Sequence, residues 1–141
     1  MIRELGDDEV DVVGAVLGLA RLHQGDGAYL VAWDGTEPMG HLHVARTDPP
    51  ELQDLEVRDG YRRRGVATLL LAAAESACAA LGATRVRVTV SEDNDVAREL
   101  YARLGYVDAG LPPRRVAGTI QLRRGPIEVD DTLLTLEKPL G

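Results

Sequence analysis

The sequence of 141 residues has little cysteine, few aromatic residues and no phenylalanine. Its single cysteine, Cys78, excludes an intramolecular disulfide, which fits a reducing compartment. No apolar run approaches the ~20 residues of a membrane span. The acidic first eight residues also lack the apolar segment of a secretory signal. We therefore expect a cytoplasmic protein that makes no contact with a membrane.

Positive charge is also in deficit, because the formal net charge is -7 at pH 7. An acidic total argues against general nucleic-acid binding and mildly favours a cationic partner. The length fits a single domain over residues 1–141, which can bury a core without help from a metal.

Hydrophobic periodicity predicts an α/β (α+β) chain. Strands are predicted at residues 2–5, 28–33, 40–45, 51–57, 84–90, 106–107 and 131–138, and helices at 7–23, 66–81 and 94–105. Residues 110–128 hold three prolines, four arginines and three glycines, which favours a long loop. This order predicts a mixed sheet with helices on both faces.

An arginine-rich turn between a strand and a helix carries the strongest chemical signal. The unpaired N–H groups and the dipole of a helix start suit a pyrophosphate. Gly65 lets the backbone approach a ligand, and Ala67 is small enough to keep that approach open. The phosphate-loop and dinucleotide fingerprints are both absent. The alternative is an exposed basic turn with a capping glycine, and the local sequence leaves both open.

Two motifs give this turn a specific resemblance. The run Arg62-Arg63-Arg64-Gly65-Val66-Ala67 resembles the Gln/Arg-x-x-Gly-x-Gly/Ala motif of the GNAT superfamily of N-acetyltransferases. The run from Asn94 to Tyr106 is similar to the family's Asn-x-x-Ala-x-x-Leu-Tyr-x-x-x-Gly-Phe/Tyr signature. The resemblance covers about residues 52–107 and implies the GNAT fold, whose central sheet is mixed, mostly antiparallel and splayed, with helices on both faces.

The resemblance implies that the chain binds acetyl-CoA. The pyrophosphate would be held, mainly by backbone N–H groups, at Arg62, Arg63, Arg64, Gly65, Val66, Ala67 and Thr68. The pantetheine arm would enter between the strand Leu55-Glu56-Val57 and its parallel neighbour, pairing with the main chain of Leu55 and Val57. Those N–H groups could also polarise the acetyl carbonyl.

Three residues of the second motif share one helix face, because Asn94, Ala97 and Tyr101 are spaced i, i+3 and i+7. The resemblance makes Asn94 both an N-cap and a contact to the pantetheine arm, and Ala97 a small residue that lets the cofactor pass. It makes Tyr101 the general acid for the departing thiolate. The alternative for Tyr101 is a half-buried core tyrosine.

The general base is less defined. Glu51, Asp54 and Glu56, on or beside the central strand, could deprotonate the amine directly or through water. Period-two geometry sets Asp54 out of phase with Glu51 and Leu55, but the family often has a bulge here. Glu56 lies nearest the expected thioester, and Glu51 remains a second candidate. The alternative is a solvated or structural carboxylate.

No metal site is expected, because a zinc site normally needs three protein ligands. His41 and His43 share a strand face while His23 is distant in sequence, so surface or acceptor-cleft histidines are favoured. Cys78 is expected to be structural, and Trp33 and Tyr29 to pack. The predicted late loop contains four arginines, Arg114, Arg115, Arg123 and Arg124. We favour a solvated loop over a loop that binds an anionic group or a second subunit.

The resemblance therefore implies a single-domain enzyme that transfers acetyl from acetyl-CoA directly to an amine. A primary amine on a small molecule is the favoured acceptor. The alternatives are a protein or peptide acetyltransferase, acting on N-termini or lysines, and a non-catalytic acyl-CoA-binding module. A homodimer is an expectation from the resemblance alone.

Overall fold

The computed structural model describes residues 1–19, 27–122 and 125–141. Within them, three α-helices and a short 3-10 helix at Asp7–Glu9 accompany eight strands. The helices are α1 (Val10–Leu17), α2 (Val66–Ala80) and α3 (Asp95–Arg103). The strands are β1 (Ile2–Glu4), β2 (Gly27–Asp34), β3 (Glu37–Ala45), β4 (Glu51–Val57), β5 (Arg85–Ser91), β6 (Val107–Asp108), β7 (Arg114–Leu122) and β8 (Gly125–Pro139). None of these helices combines the length and apolar character needed to cross a bilayer.

The strands form one mixed, mostly antiparallel sheet. Its order is β1-β2-β3-β4-β5-β8-β6, and β7 pairs with β8 outside this path. The β4–β5 pair is parallel, as a strand–helix–strand crossover through α2 requires. The sheet architecture expected from the motifs is therefore confirmed.

The parallel pair is splayed. Among the described residues, β4 and β5 are joined at Glu51↔Arg87 and Leu52↔Val88. Further along, β4 pairs with β3 up to Val57, and β5 pairs with β8 up to Ser91. A gap therefore opens in the sheet at the carboxyl ends of β4 and β5.

Helices cover both faces of the sheet because the strands alternate. On one face, α1 packs Val13 and Leu17 against Tyr29 and Val31 of β2. On the other face, α2 forms a cluster with residues from β2 to β5, including Ala32, Leu42, Leu52, Leu70, Ala74, Val86 and Val88. The sheet thus separates two surfaces that meet at the gap.

The first helix is shorter than its apolar pattern predicts. It ends at Leu17, because Gly18 takes a left-handed conformation with φ 67° and donates its N–H to the carbonyl of Gly14. Such a cap suits glycine, which has no Cβ to clash. The remainder of the predicted helix, with His23, lies outside the described residues from position 20 on.

The long loop predicted at residues 110–128 is wrong. Residues 114–122 and 125–139 form an antiparallel hairpin in which Arg114 pairs with Leu133 and Leu122 with Gly125. Pro112 and Pro113 precede β7 rather than interrupt it. Charged cross-strand neighbours join the strands, as Arg115 does with Asp130. Arg123 and Arg124 lie outside the described residues.

Candidate active site

The expected bulge is present in β4. His41 pairs with Glu56 and His43 with Gln53, so Asp54 and Leu55 together lie opposite one residue of β3. Asp54 takes up the extra length with a left-handed φ of 53°. The bulge turns the carboxylates of both Asp54 and Glu56 toward His41, while Leu55 packs against the core on the α2 face.

The gap between β4 and β5 is lined by much of the second motif. It is a crevice of about 280 Å³ whose walls include Leu55 of β4 with Asn94, Ala97 and Tyr101. The remaining wall residues are Leu52, Gln53, Asp54, Thr89, Val90 and Ser91. Four residues that the motifs assign to the pantetheine arm and thioester therefore line one crevice.

Helix α3 places these side chains through its start. The Asn94 side chain accepts a hydrogen bond from the Ala97 N–H at 3.1 Å, which confirms it as the N-cap. One turn beyond Ala97, Tyr101 is buried at 8% exposure, and its ring meets that of Tyr106 edge-on at 5.4 Å. Burial raises the pKa of the Tyr101 hydroxyl, which keeps it protonated as a general acid must be.

A second crevice, of about 560 Å³, lies at the start of α2. It is lined by Val57, Tyr61, Arg62, Arg63, Gly65, Val66, Ala67 and Thr68, and by Val96, Leu100 and Arg103 from α3 and its start. Gly65 caps the helix with φ 77°, and a Cβ there would meet open space. The helix start is thus open to a ligand, as the predicted anion site requires.

The three arginines of the turn have different roles in the fold. Arg62 is folded back, donating Nε–H to the Val57 carbonyl at 2.9 Å and pairing with Asp59. Arg64 lies over the Tyr61 ring at 5.2 Å. Arg63 is exposed, has a left-handed φ of 64° and lines the crevice. Arg63 is therefore well placed to meet an anion, whereas Arg62 shapes the turn.

A third crevice opens on the α1 face of the sheet. Its volume is about 230 Å³, and it is lined by Val16, Leu17, His41, Glu56, Val57, Arg58, Asp59 and Arg62. Val57 and Arg62 also line the crevice at the start of α2. The two openings therefore approach the end of β4 from opposite faces.

The predicted base candidates are separated along β4. Glu51 lies where β4 and β5 are still joined, with the Thr89 hydroxyl donating to it at 3.5 Å. The Glu56 side chain is 50% exposed and lines the α1-face crevice. Asp54 is largely buried and accepts a hydrogen bond from the Tyr29 hydroxyl at 2.7 Å. The structure therefore brings Glu56 and Asp54 together and leaves Glu51 at the closed end.

His41 and His43 are buried, so the expectation of surface histidines is wrong. The alternative of an acceptor-cleft histidine stays a prediction for His41, which lines the α1-face crevice. His43 Nδ1 lies 3.1 Å from the Gln53 side-chain oxygen. His41 Nδ1 lies 3.6 Å from Asp54 Oδ2, and its Nε2 lies 3.8 Å from Glu56 Oε2. Burial lowers the pKa of His41, and the charges of Asp54 and Glu56 oppose that effect.

His41, Asp54 and Glu56 are close enough to suggest a metal site, since their ligand atoms lie within 4.8 Å of one another. The two carboxylates, however, face different nitrogens of the one imidazole ring. The imidazole of His41 therefore lies between the two carboxylates, one at each ring nitrogen.

Comparison with known proteins decides the family. The model of the Acetyltransferase (GNAT) family matches residues 5–106, which is most of the chain. The chain belongs to the GNAT family. The GNAT match begins just after β1, runs past the end of α3 and includes both sequence motifs.

Solved GNAT structures share the fold at low sequence identity. The ribosomal-protein-S18-alanine N-acetyltransferase from Escherichia coli has a TM-score of 0.78 and 15% identity, covering 100% of this chain and 94% of that one. Nourseothricin acetyltransferase has a TM-score of 0.76 and 19% identity, with 100% and 98% coverage. A GNAT family acetyltransferase from Elizabethkingia anophelis, with acetyl-CoA bound, has a TM-score of 0.71 and 14% identity, with 99% and 97% coverage. These GNAT proteins are named for both protein and small-molecule acceptors.

Sequence reasoning gave His41 no part in the chemistry of this GNAT chain. His41 and His43 alternate on one strand, which predicts a shared face but no partner. The partners of His41 depend on the register between β3 and β4 and on the bulge. The available signal was the acidic pair Asp54 and Glu56 on the strand after the hairpin.

Proposed function

We propose that this GNAT protein is an acetyl-CoA-dependent N-acetyltransferase that acts on a primary amine of a small molecule. One observation carries the proposal. The gap between β4 and β5 has Tyr101 in its wall, the open start of α2 nearby, and a crevice with a carboxylate on the opposite face. Such a gap lets a thioester and an amine meet from two sides at the end of β4.

The residues around the gap fit acetyl-CoA. Backbone N–H groups from Gly65 to Thr68, with Arg63, would hold the pyrophosphate. The main chain of Leu55 and Val57, which faces no partner on β5, would pair with the pantetheine arm. Acetyl-CoA, when bound, supplies an activated acetyl thioester. The acetyl-CoA carried by the Elizabethkingia anophelis protein of the same fold supports this assignment.

Tyr101 is the proposed general acid. Tyr101 lines the same crevice as Leu55, and the raised pKa of its hydroxyl keeps the group protonated. A thiolate with a conjugate acid near pKa 8.5 could take that proton as it leaves. The direct transfer needs no covalent intermediate on the enzyme.

Glu56 is the proposed first acceptor of the amine proton. An alkylammonium with a pKa near 10.4 is almost fully charged at pH 7, so it must lose a proton before it attacks. Glu56 is half exposed in the α1-face crevice, whereas Glu51 lies at the closed end of the gap. The crevice is smaller than typical drug-sized sites, which favours a small amine.

The first test is calorimetric titration with acetyl-CoA, beside free CoA and ATP. We expect tight binding of acetyl-CoA and none of ATP. A panel of polyamines, amino sugars and amino-acid derivatives is then assayed by thiol release. Acetylation of peptides instead would show a protein or peptide acetyltransferase, and binding without any turnover would show a non-catalytic module. Failure to bind acetyl-CoA would refute the proposal.

Tyr101→Phe separates catalysis from binding. It removes the hydroxyl and leaves the ring that packs against Tyr106. We expect kcat to fall by about 10²–10⁴-fold, as for the loss of a general acid, with an unchanged Kd for acetyl-CoA. Tyr106→Phe is the control and should retain activity, because its hydroxyl donates to Glu75 and Tyr106 lines none of the three crevices. Full activity of Tyr101→Phe would contradict the assignment.

A further inference from the structure

We propose that His41 is a positioning residue that takes over the amine proton from Glu56, with Asp54 behind it. This relay rests on the proposed function, because it serves the deprotonation of the acceptor amine. It differs from a lone carboxylate base. The group that meets the amine and the group that keeps its proton are separate residues on neighbouring strands.

The geometry of His41 matches a relay. Its side chain is 1% exposed and lies between Asp54 Oδ2 at 3.6 Å and Glu56 Oε2 at 3.8 Å, one carboxylate at each ring nitrogen. Neither nitrogen makes a hydrogen bond of normal geometry within the described part of the chain, although the backbones of Leu17 and Asp54 lie close enough to favour the charged ring. A buried imidazole without such bonds is costly, so its placement needs an explanation. A small movement or one bridging water would turn each contact with a carboxylate into a hydrogen bond. Long catalytic contacts of this kind are common before substrate binds.

Asp54 is held in place to serve the far end of the relay. The Tyr29 hydroxyl donates to Asp54 Oδ2 at 2.7 Å, and the Tyr29 ring lies edge-on to His41 at 5.7 Å. The left-handed backbone of Asp54 brings its carboxylate to this face. An aspartate that accepts Nδ1–H fixes the neutral tautomer with its lone pair on Nε2, facing Glu56.

The proton can be followed through the three groups. The acceptor ammonium gives its proton to Glu56, and Glu56 passes it to Nε2 of His41. The resulting imidazolium keeps Nδ1–H directed at Asp54, so its charge lies between two carboxylates. The amine nitrogen then forms its bond to the acetyl carbon, the carbon–sulfur bond breaks, and the departing sulfur takes a proton from Tyr101. The second proton that the nitrogen loses on becoming an amide restores the Tyr101 hydroxyl through water. The imidazolium returns its proton to water through Glu56. An imidazole is a better-matched acceptor for an amine proton than an ordinary carboxylate is.

Burial sets the direction in which the pKa of His41 shifts, and the charges around the ring oppose it. Tyr29 faces it from β2, Asp54 and Glu56 face it from β4, and α1 contributes the uncharged Val16 and Leu17. Beyond Glu56, the same crevice is lined by Arg58, Asp59 and Arg62. Burial lowers the pKa of His41 below its ordinary value of about 6.5. His41 is thus neutral and ready to accept a proton at pH 7.

The test is the pH dependence of kcat/KM for an acetylated amine. In the wild type, the logarithm of kcat/KM should rise with a slope of one below the amine pKa. It should steepen to a slope of two below the pKa of His41, where a second proton must be lost. His41→Gln should keep a slope of one throughout and lower kcat/KM at neutral pH by about 10²-fold or less. Persistence of the steep limb at the same pH in His41→Gln would overturn the relay.

His43→Gln is the matched control, because His43 is equally buried on the same strand face but faces Gln53. It should retain the steep limb whatever its rate. Wild-type turnover with an unaltered profile in His41→Gln refutes the relay alone. Absence of any turnover by the wild type refutes the proposed function itself.

A second measurement covers the case in which His41→Gln does not fold. The ring nitrogens of His41 are titrated by NMR in the wild type, in Glu56→Gln and in Asp54→Asn. The pKa of His41 should fall in both variants, because each removes a negative charge that favours the imidazolium. His43 in the same spectra serves as the internal reference. An unmoved His41 pKa in both variants would overturn the relay.

Discussion

At the scale of single residues, two acidic side chains serve as fixed hydrogen-bond partners. Glu9 accepts two hydrogen bonds from Arg3, both at 2.8 Å, and a third from the Gly6 N–H at 3.0 Å. Asp54 likewise accepts the Tyr29 hydroxyl inside the sheet. The contacts of Glu9 stabilise the charged form of its carboxylate, so stability must respond to acid.

Glu9 provides a defined pH test. The hydrogen bonds from Arg3, aided by that from Gly6, lower the pKa of Glu9 to about 2. Its contribution to stability is therefore complete above the ordinary pKa of about 4.5 and is lost as the pH falls toward 2. We expect the urea midpoint of Glu9→Gln to fall less steeply than that of the wild type across this range. Parallel profiles would show that the contact contributes nothing. Glu4→Gln, on the neighbouring strand, is the control.

At the scale of elements, the local signals predict the strands and helices around the candidate site well. The predicted bounds of β4 match the observed ones, and those of α2 and α3 differ by at most two residues. These elements are predictable because their periodicity and their caps depend on residues that are close in sequence. The motifs also grouped Leu55, Asn94, Ala97 and Tyr101, which line one crevice.

What local signals could not predict are contacts set by pairing between distant segments. The sequence predicts a loop over β7 and the start of β8, because prolines and glycines are turn formers wherever they occur. The strand predicted at residues 131–138 is confirmed as the later part of β8. The residues of β7 and β8 form a two-stranded antiparallel ribbon because β7 pairs with β8 along its length. Ion pairs between the strands, such as Arg115 with Asp130, accompany this pairing. The neighbours of His41 depend similarly on the β3–β4 register, and a one-residue bulge decides which side chains it meets.

The β3–β4 contact gives the element-scale prediction. A Cβ at Gly40 would lie 2.8 Å from the Glu56 carbonyl oxygen and 3.3 Å from Val57 Cα. Because the obstacles are backbone atoms, Gly40→Ala must push the strands apart beside the site. We expect a loss of about 1–3 kcal/mol in the free energy of unfolding, measured with urea. Thr36→Ala, in the exposed turn of the same hairpin, should change it little. A Gly40→Ala variant as stable as the wild type would show that the strands separate without cost.

At the scale of the whole molecule, the charge of the protein and that of its proposed ligand have the same sign. The net charge is -7, yet the crevice at the start of α2 is lined by Arg62, Arg63 and Arg103. The arginines of this crevice must therefore attract an anionic coenzyme although the net negative charge of the protein repels it. Interactions of this kind weaken as salt screens them over about 10 Å at 0.1 M.

The salt dependence of binding tests this arrangement. We expect the Kd for acetyl-CoA to rise between about 0.05 and 0.5 M NaCl, because screening weakens the pull of the turn. Arg63→Ala should raise the Kd at low salt and flatten its dependence on salt. Arg46→Ala removes an exposed arginine beyond the end of β3, outside the crevice, and should keep the wild-type slope. Identical slopes for all three proteins would place the pyrophosphate elsewhere.

The splay has a consequence for the cohesion of the molecule. In the part of the chain that the structure describes, two residue pairs are the seam between the half-sheet of β1–β4 and that of β5–β8. Helix α2 bridges the halves through a cluster that includes Leu52 and Val88. A coenzyme lying in the gap would act as a missing strand, slowing amide hydrogen exchange from Gln53 to Val57. Release of the product coenzyme would then leave the two half-sheets in their most weakly joined state.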